Sequence, residues 1–241
     1  MSTYKTGEIY LVDYPYEDKS VSKKRPGIIL TEKQMAMYVT SQGTERPYKV
    51  KLEDWIKENL RRPSWAKIDR VVPPEEYKLI TKIGELTDKD LKMVTELYQE
   101  FSTGKRHEFS LAAIINTDSL FLQKYDERWS CWLFPYFRTT EDNQKTADEF
   151  ISDIIGSSVS ADFVTNAIHC KYSVSDKVHK IYSHNLYKYK LNSIPEHMKE
   201  KEFKINGTKY RWMSFSEMES DNEIIEKNEE VIAFVKKNCK Q

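Results

Sequence analysis

Histidine is missing from the first 106 residues of this 241-residue chain: all five (His107, His169, His179, His184, His197) come later. Any acid–base chemistry in that first part must therefore run without an imidazole. Cysteine is scarce as well. The three present, Cys131, Cys170 and Cys239, are widely spaced, odd in number and form no Cys-x-x-Cys pair. That argues against a disulfide framework or a thiolate zinc site and for free thiols in a reducing cytoplasm. Net charge is absent too, with 38 Lys and Arg against 38 Asp and Glu. Up to residue 104 the chain has 18 basic and 17 acidic residues, so neither part is a polycation. Any nucleic-acid contact must then rest on a local patch rather than on bulk charge. No apolar run nears the roughly 20 residues of a membrane span. The N-terminal residues lack the charged-then-apolar order of a signal peptide.

What the first part does contain is a series of short strands. Glu8–Tyr14 reads as a strand, and residues 15–20 as the polar loop leaving it. Lys23-Lys24-Arg25 then precedes Pro26-Gly27, after which Gly27–Leu30 fits a short buried strand. Ala36–Thr40 and Tyr48–Leu52 follow as strands, and Pro63–Val72 as another whose alternation of Trp65, Ile68 and Val71 is imperfect. Thr87-Asp88-Lys89-Asp90 supplies a helix N-cap with an acid at the third helical position. Leu91, Val94, Leu97, Tyr98 and Phe101 then recur along one helical face. Closely spaced strands with one terminal helix suggest a small, strongly curved sheet or barrel.

Lys105-Arg106-His107 makes a short linker, which sets expected domains at 1–104 and 107–241. In the second, Phe109–Asn116, Leu120–Lys124, Trp129–Pro135 and Ile181–Leu191 read as strands. Asp148–Ile155 reads as a helix, Phe203–Tyr210 as a hairpin around Asn206-Gly207, and Glu223–Lys237 as a terminal amphipathic helix. Cys131 in an apolar strand reads as core, and His184 as a hydrogen-bonded structural residue. The fold class expected is α+β.

Five segments carry a family resemblance in the family's own order. They are Gly7–Asp13, Lys24–Leu30, Val39-Thr40-Ser41-Gln42, Pro63–Asp69 and Lys82–Thr87. Over about residues 4–101 the chain resembles the MazF/PemK toxin endoribonucleases. The resemblance implies an SH3-like small barrel, often a homodimer, that cleaves single-stranded RNA with no cofactor and no metal. It also implies a toxin–antitoxin or phage-defence setting, an antitoxin partner and a cytoplasmic location. It makes Arg25 and Thr40 the catalytic pair, with Lys23, Lys24, Ser41, Gln42 and Tyr16 as substrate-contacting residues. The chemistry suits them: attack of a ribose 2′-hydroxyl on the adjacent phosphate builds charge that a guanidinium and a hydroxyl donor can stabilise. Glu17 and Asp18 lie in the right loop to act as a base, or are simply solvated. The loop before Arg25 lacks the family's glycine, and Met37-Tyr38-Val39 replaces its usual Pro-containing approach to the Thr-Ser pair. Trp65 reads as core.

Residues 107–238 resemble the Nudix fold, an α/β/α sandwich, with Trp132-Leu133-Phe134-Pro135 before one helix and Trp212-Met213-Ser214 before another. Tyr136 and Phe137 stand where that family has Gly-Gly, and Asp148-Glu149-Phe150-Ile151-Ser152-Asp153 replaces its magnesium-binding carboxylate cluster. This implies a degenerate domain without hydrolase activity that regulates the toxin through its surface or a nucleotide-like ligand. The alternatives are a non-catalytic RNA- or protein-binding module, and an atypical nucleotide hydrolase acting through the C-terminal domain.

Overall fold

A computed structural model of the protein describes residues 4–15, 22–30, 34–42, 47–173 and 175–239. The chain divides into two compact units. One comprises Met1–Arg106 together with Cys170–Ile181, and the other His107–His169 together with Tyr182–Gln241. The first unit thus takes in a stretch that the linker at 105–107 would leave to the second.

The first unit is built on a six-stranded sheet. Its strands are β1 (Glu8–Pro15), β2 (Ser22–Ile29), β3 (Ala36–Thr40), β4 (Lys49–Lys51), β5 (Trp65–Val72) and β6 (Lys78–Glu85), in the order β4-β5-β3-β2-β1-β6. Among the described residues β4 and β6 do not pair with each other, so the sheet is open at both edges. Helix α1 (Asp88–Ser102) is capped by Thr87, whose side chain accepts from the Asp90 N–H. It packs on β5 and buries Val94 and Leu97. Gly84 is needed for close approach: a methyl there would run into the Glu58 carbonyl oxygen and lie 2.9 Å from its carbon. The opposite face of the sheet carries a cluster of Val12, Tyr14, Ile29, Ala36 and Tyr38. Within this unit the His179 N–H and ring both hydrogen-bond Glu96 at 2.8 Å, and the Ile181 N–H donates to Glu100 at 2.7 Å.

The second sheet has eight strands. These are β7 (His107–Ile115), β8 (Phe121–Asp126), β9 (Cys131–Leu133), β10 (Tyr136–Arg138), β11 (Asp162–Ser173), β12 (Val178–Lys190), β13 (Glu202–Ile205) and β14 (Thr208–Met213). The main order is β11-β12-β7-β8-β14-β13, with β12 parallel to β7 and with β9 and β10 pairing to β8 and β7. Helix α2 (Asn143–Ile155) buries Ala147, Ile151 and Ile154 against Ala112, Ile114 and Tyr187. Helices α3 (Phe215–Ser220) and α4 (Asn222–Asn238) belong to a separate cluster with Leu111, Ala113 and Leu186, which alternate with the first set. Helices therefore cover both faces, and the class is α+β. The turn at Asn206 and Gly207, both at positive φ, joins β13 to β14 as the Asn-Gly pair demands.

Candidate functional site

Strand β2 begins at Ser22, five residues before the buried run at Gly27, because the polar stretch still pairs with β1. Lys23 lies opposite Tyr14, Lys24 opposite Asp13, and Arg25 opposite Val12. The three cationic residues are thus inside the strand rather than at the end of a loop. Strand alternation puts Lys23, Arg25 and Gly27 on one face and Lys24 on the other. Of the two lysines, then, only Lys23 shares the arginine's side of the sheet.

Gly27 pairs with Tyr38 on β3. Counting two residues on from that pair along each antiparallel strand reaches Arg25 and Thr40, on the same face. The two residues come from segments fifteen positions apart, and both lie just past the Gly27–Tyr38 pair where the β2–β3 pairing ends. Both are half-buried. No hydrogen bond or ion pair joins the Arg25 guanidinium to another side chain among the described residues. The Thr40 Oγ1 accepts from the Gln42 N–H at 3.2 Å, which leaves the hydroxyl proton to be donated. Ser41 and Gln42 are exposed just past the strand, and the Gln42 carbonyl accepts from Lys49 Nζ at 2.8 Å. Trp65 pairs with Thr40 and is half-buried, bordering this site rather than filling the core. Tyr16, Glu17 and Asp18 lie outside the described residues.

Three residues that sequence reasoning passed over complete the surroundings. The Tyr14 ring stacks on Tyr38 with centroids 3.7 Å apart, and the Arg70 guanidinium carbon lies 5.1 Å from the Tyr38 centroid. Tyr14 is 2% exposed, and its hydroxyl has no hydrogen-bond partner among the described residues. Burial pushes its phenol well up, with Tyr38 and Tyr77 adding to the effect and the Arg25 charge opposing it. Burial likewise raises Tyr38, against the charges of Arg70 and Arg25. A signal for Arg70 did exist. The three-residue spacing of Trp65, Ile68 and Val71 breaks strand alternation, and β5 does bulge there.

In the second unit the carboxylates of α2 do not converge. Asp148 is half-buried and spent on structure: its Oδ1 accepts from the Ala161 N–H at 2.8 Å and from Gln144 at 2.9 Å. Glu149 and Asp153 are exposed. Phe137 packs on Phe150 at 4.8 Å. Among the described residues no group of three or more His, Cys, Asp or Glu could hold a metal ion. Cys131 is buried and its thiol is raised by burial, as suits a core residue. His184 is buried and its Nδ1 shares a hydrogen bond with His169 Nδ1 at 2.8 Å. Helix α2 begins at Asn143, five residues before Asp148, because Asp142 caps it by accepting from the Lys145 N–H.

Residues 5–101 match the model of a family described as PemK-like, MazF-like toxin of type II toxin–antitoxin systems. No curated protein matches the chain. Solved structures similar to its C-terminal portion include a MutT protein from Methanosarcina mazei Go1, at 10% identity and a TM-score of 0.40 over 56% of this chain and 96% of that one. A NUDIX hydrolase from Nitrosomonas europaea matches at 13% identity and 0.41, over 56% and 88%. The NUDIX domain of Shewanella oneidensis NrtR, solved with ADP ribose, matches at 7% and 0.41, over 56% and 90%.

Proposed function

We propose that the first unit is a toxin endoribonuclease that cuts single-stranded RNA without a metal, with Arg25 and Thr40 as its catalytic pair. The observation that carries this is their placement. Within the segment that matches the toxin family, Gly27 of β2 pairs with Tyr38 of β3, and Arg25 and Thr40 lie two residues beyond that pair on their strands, which supports the reading. The ribose 2′-hydroxyl gives up its proton to solvent and attacks its adjacent phosphorus, the 5′-oxygen of the next nucleotide leaves and takes up a proton from solvent, and a cyclic phosphate remains. Arg25 stabilises charge on the non-bridging oxygens and Thr40 donates its hydroxyl proton to one of them. Lys23 adds a cation on the same face, while Lys24, Ser41, Gln42 and Tyr16 are assigned to the passing strand. A homodimer, a protein antitoxin, a cytoplasmic location and a role in phage defence complete the reading.

The second unit we assign to regulation of the first, by a nucleotide-like ligand or by its surface, as the domain from residue 107 onward. Support comes from α2, where Asp148 anchors Ala161 and the neighbouring carboxylates point into solvent, which disfavours a magnesium-dependent hydrolase.

The test is incubation of the purified full chain with single-stranded RNA in EDTA beside Arg25→Ala. Cleavage by the parent alone, with 5′-hydroxyl ends, is the expected result. Intact RNA under every condition, or cutting that survives the substitution, would end this reading. Magnesium-dependent release of phosphate from nucleotides, unaffected by Arg25→Ala, would move the activity to the second unit.

A further inference from the structure

Arg70 is aimed by a fault in the sheet. Met37 on β3 pairs with Val71 of β5, yet Val39 pairs with Ala66, so Lys67 to Arg70 all stand opposite Tyr38 alone. Strand β4 takes up the start of that excess: Lys67 pairs with Lys49, and the Ile68 N–H donates to the Tyr48 carbonyl at 2.8 Å. What remains is Asp69 and Arg70, both exposed. Bulges of this kind re-aim side chains beside functional sites. Here the result is a guanidinium held 5.1 Å from the centre of the Tyr38 ring, with that ring itself stacked on Tyr14.

The position relates directly to Arg25. Tyr38 pairs with Gly27, two residues along β2 from Arg25 and on the same face. The charges of Arg70 and Arg25 both act on the Tyr38 hydroxyl, and Glu76 acts on it in the opposite sense. Two forks that match phosphate geometry thus flank one rigid aromatic post. Contact with a ring restricts the arginine before any ligand arrives, so less side-chain freedom is lost on binding.

We propose that Arg70, held over the Tyr38 ring, is a second phosphate anchor, gripping the phosphodiester next to the one that Arg25 and Thr40 engage in single-stranded RNA. This rests on the RNA-cleaving reading given above. Arg70 here binds and positions the strand, and Arg25 acts on the reacting phosphate. The two roles separate kinetically, because an anchor used equally before and during reaction alters KM rather than kcat.

Initial rates on single-stranded RNA in EDTA, at several salt concentrations, test it with the full chain, Arg70→Ala, Arg70→Lys and, as a charge control, Lys92→Ala on α1. Arg70→Ala is expected to raise KM about ten- to a hundredfold, the scale of one charge-assisted hydrogen bond. Its kcat stays close to the parent's, and the slope of log kcat/KM against log salt becomes shallower by about 0.7. Arg70→Lys restores the slope but only part of KM, and Lys92→Ala leaves both unchanged. Unaltered KM and slope in Arg70→Ala overturn the anchor while cleavage itself stands. A parent chain that leaves RNA intact overturns both readings. If thermal melting shows Arg70→Ala unfolded, Arg70→Gln, which keeps much of the side chain's length and removes its charge, must raise KM in the same direction. An unchanged KM there overturns the proposal.

Discussion

The Tyr14 hydroxyl lies where a side chain at Gly27 would begin. A methyl built on Gly27 falls inside the contact radius of that oxygen and 2.9 Å from Val12 Cγ2. The glycine at the end of Arg-Pro-Gly is therefore required by a tyrosine thirteen residues before it, through packing rather than through its own backbone. Gly27→Ala is expected to destabilise the chain by about 2–3 kcal/mol, as overpacking does. Tyr14→Phe removes a buried hydroxyl that has no partner among the described residues, so it should be neutral or stabilising by up to about 1 kcal/mol. The double variant should recover part of the alanine's loss. Thermal melts of the three variants check this.

Arg25→Ala and Thr40→Val address the proposed cleavage directly. Removing a donor aimed at developing charge costs roughly 10²–10³ in kcat. Arg25→Ala is expected at or beyond the upper end, and Thr40→Val at the lower, with KM moved far less than kcat in both. Single-turnover cleavage of RNA in EDTA gives the numbers. Equal loss in KM and none in kcat would make the pair a binding site only.

Stability should carry a pH signature from Glu58. This fully buried carboxyl is pushed up to about 7, chiefly by burial, with the Thr87 N–H opposing and Asp90 adding to the rise. Among the described residues its Oε2 and the Asp90 Oδ1 are buried acceptors without a hydrogen-bond partner, and one proton on Glu58 satisfies both. The folded form thus holds that proton more tightly than the unfolded chain does. Stability is complete below the ordinary glutamate range and declines as pH rises through about 7, by about 2 kcal/mol. Glu58→Gln keeps a donor facing Asp90 and should flatten the decline. Urea unfolding of parent and variant between pH 5 and pH 8 decides the matter, and parallel curves would refute it.

Asp126 in the second unit runs the other way. Burial works to raise it, but hydrogen bonds from Arg128 (2.9 and 3.2 Å) and from the Tyr136 hydroxyl (2.7 Å) outweigh that and hold it at about 2. Its contribution is present above the ordinary aspartate range and is lost as pH falls toward 2. Asp126→Asn should cost about 2 kcal/mol at neutral pH and progressively less in acid. Chemical unfolding at pH 7 and at pH 3 compares the two.

Legibility from the sequence followed burial. The run at Gly27–Ile29, the Thr87 cap and the Asn206-Gly207 hairpin could be read because apolar runs and cap or turn chemistry act locally. Strand β6 could not: it is an edge strand whose Lys78, Ile80, Thr81, Lys82 and Glu85 are all exposed, so no apolar alternation marks it. Strand β11 is also an edge, and most of its side chains are half-buried or exposed. Arg25 and Thr40 were chosen through their segments, and the Gly27–Tyr38 register that joins those segments is encoded by no local pattern. Arg70 escaped because its aim depends on a bulge measured against β3 and β4 together.

The first unit is discontinuous along the chain. The toxin-like segment is synthesised first, yet its unit is complete only with Cys170–Ile181, which supplies the N–H groups and ring that satisfy Glu96 and Glu100 on α1. A nascent chain that has passed residue 104 is still short of those partners. On the ribosome, the order of synthesis therefore delays completion of the first unit until about half of the second unit has also been made. A stop codon anywhere between 107 and 169 would leave Glu96 and Glu100 on α1 without the groups that His179 and Ile181 supply.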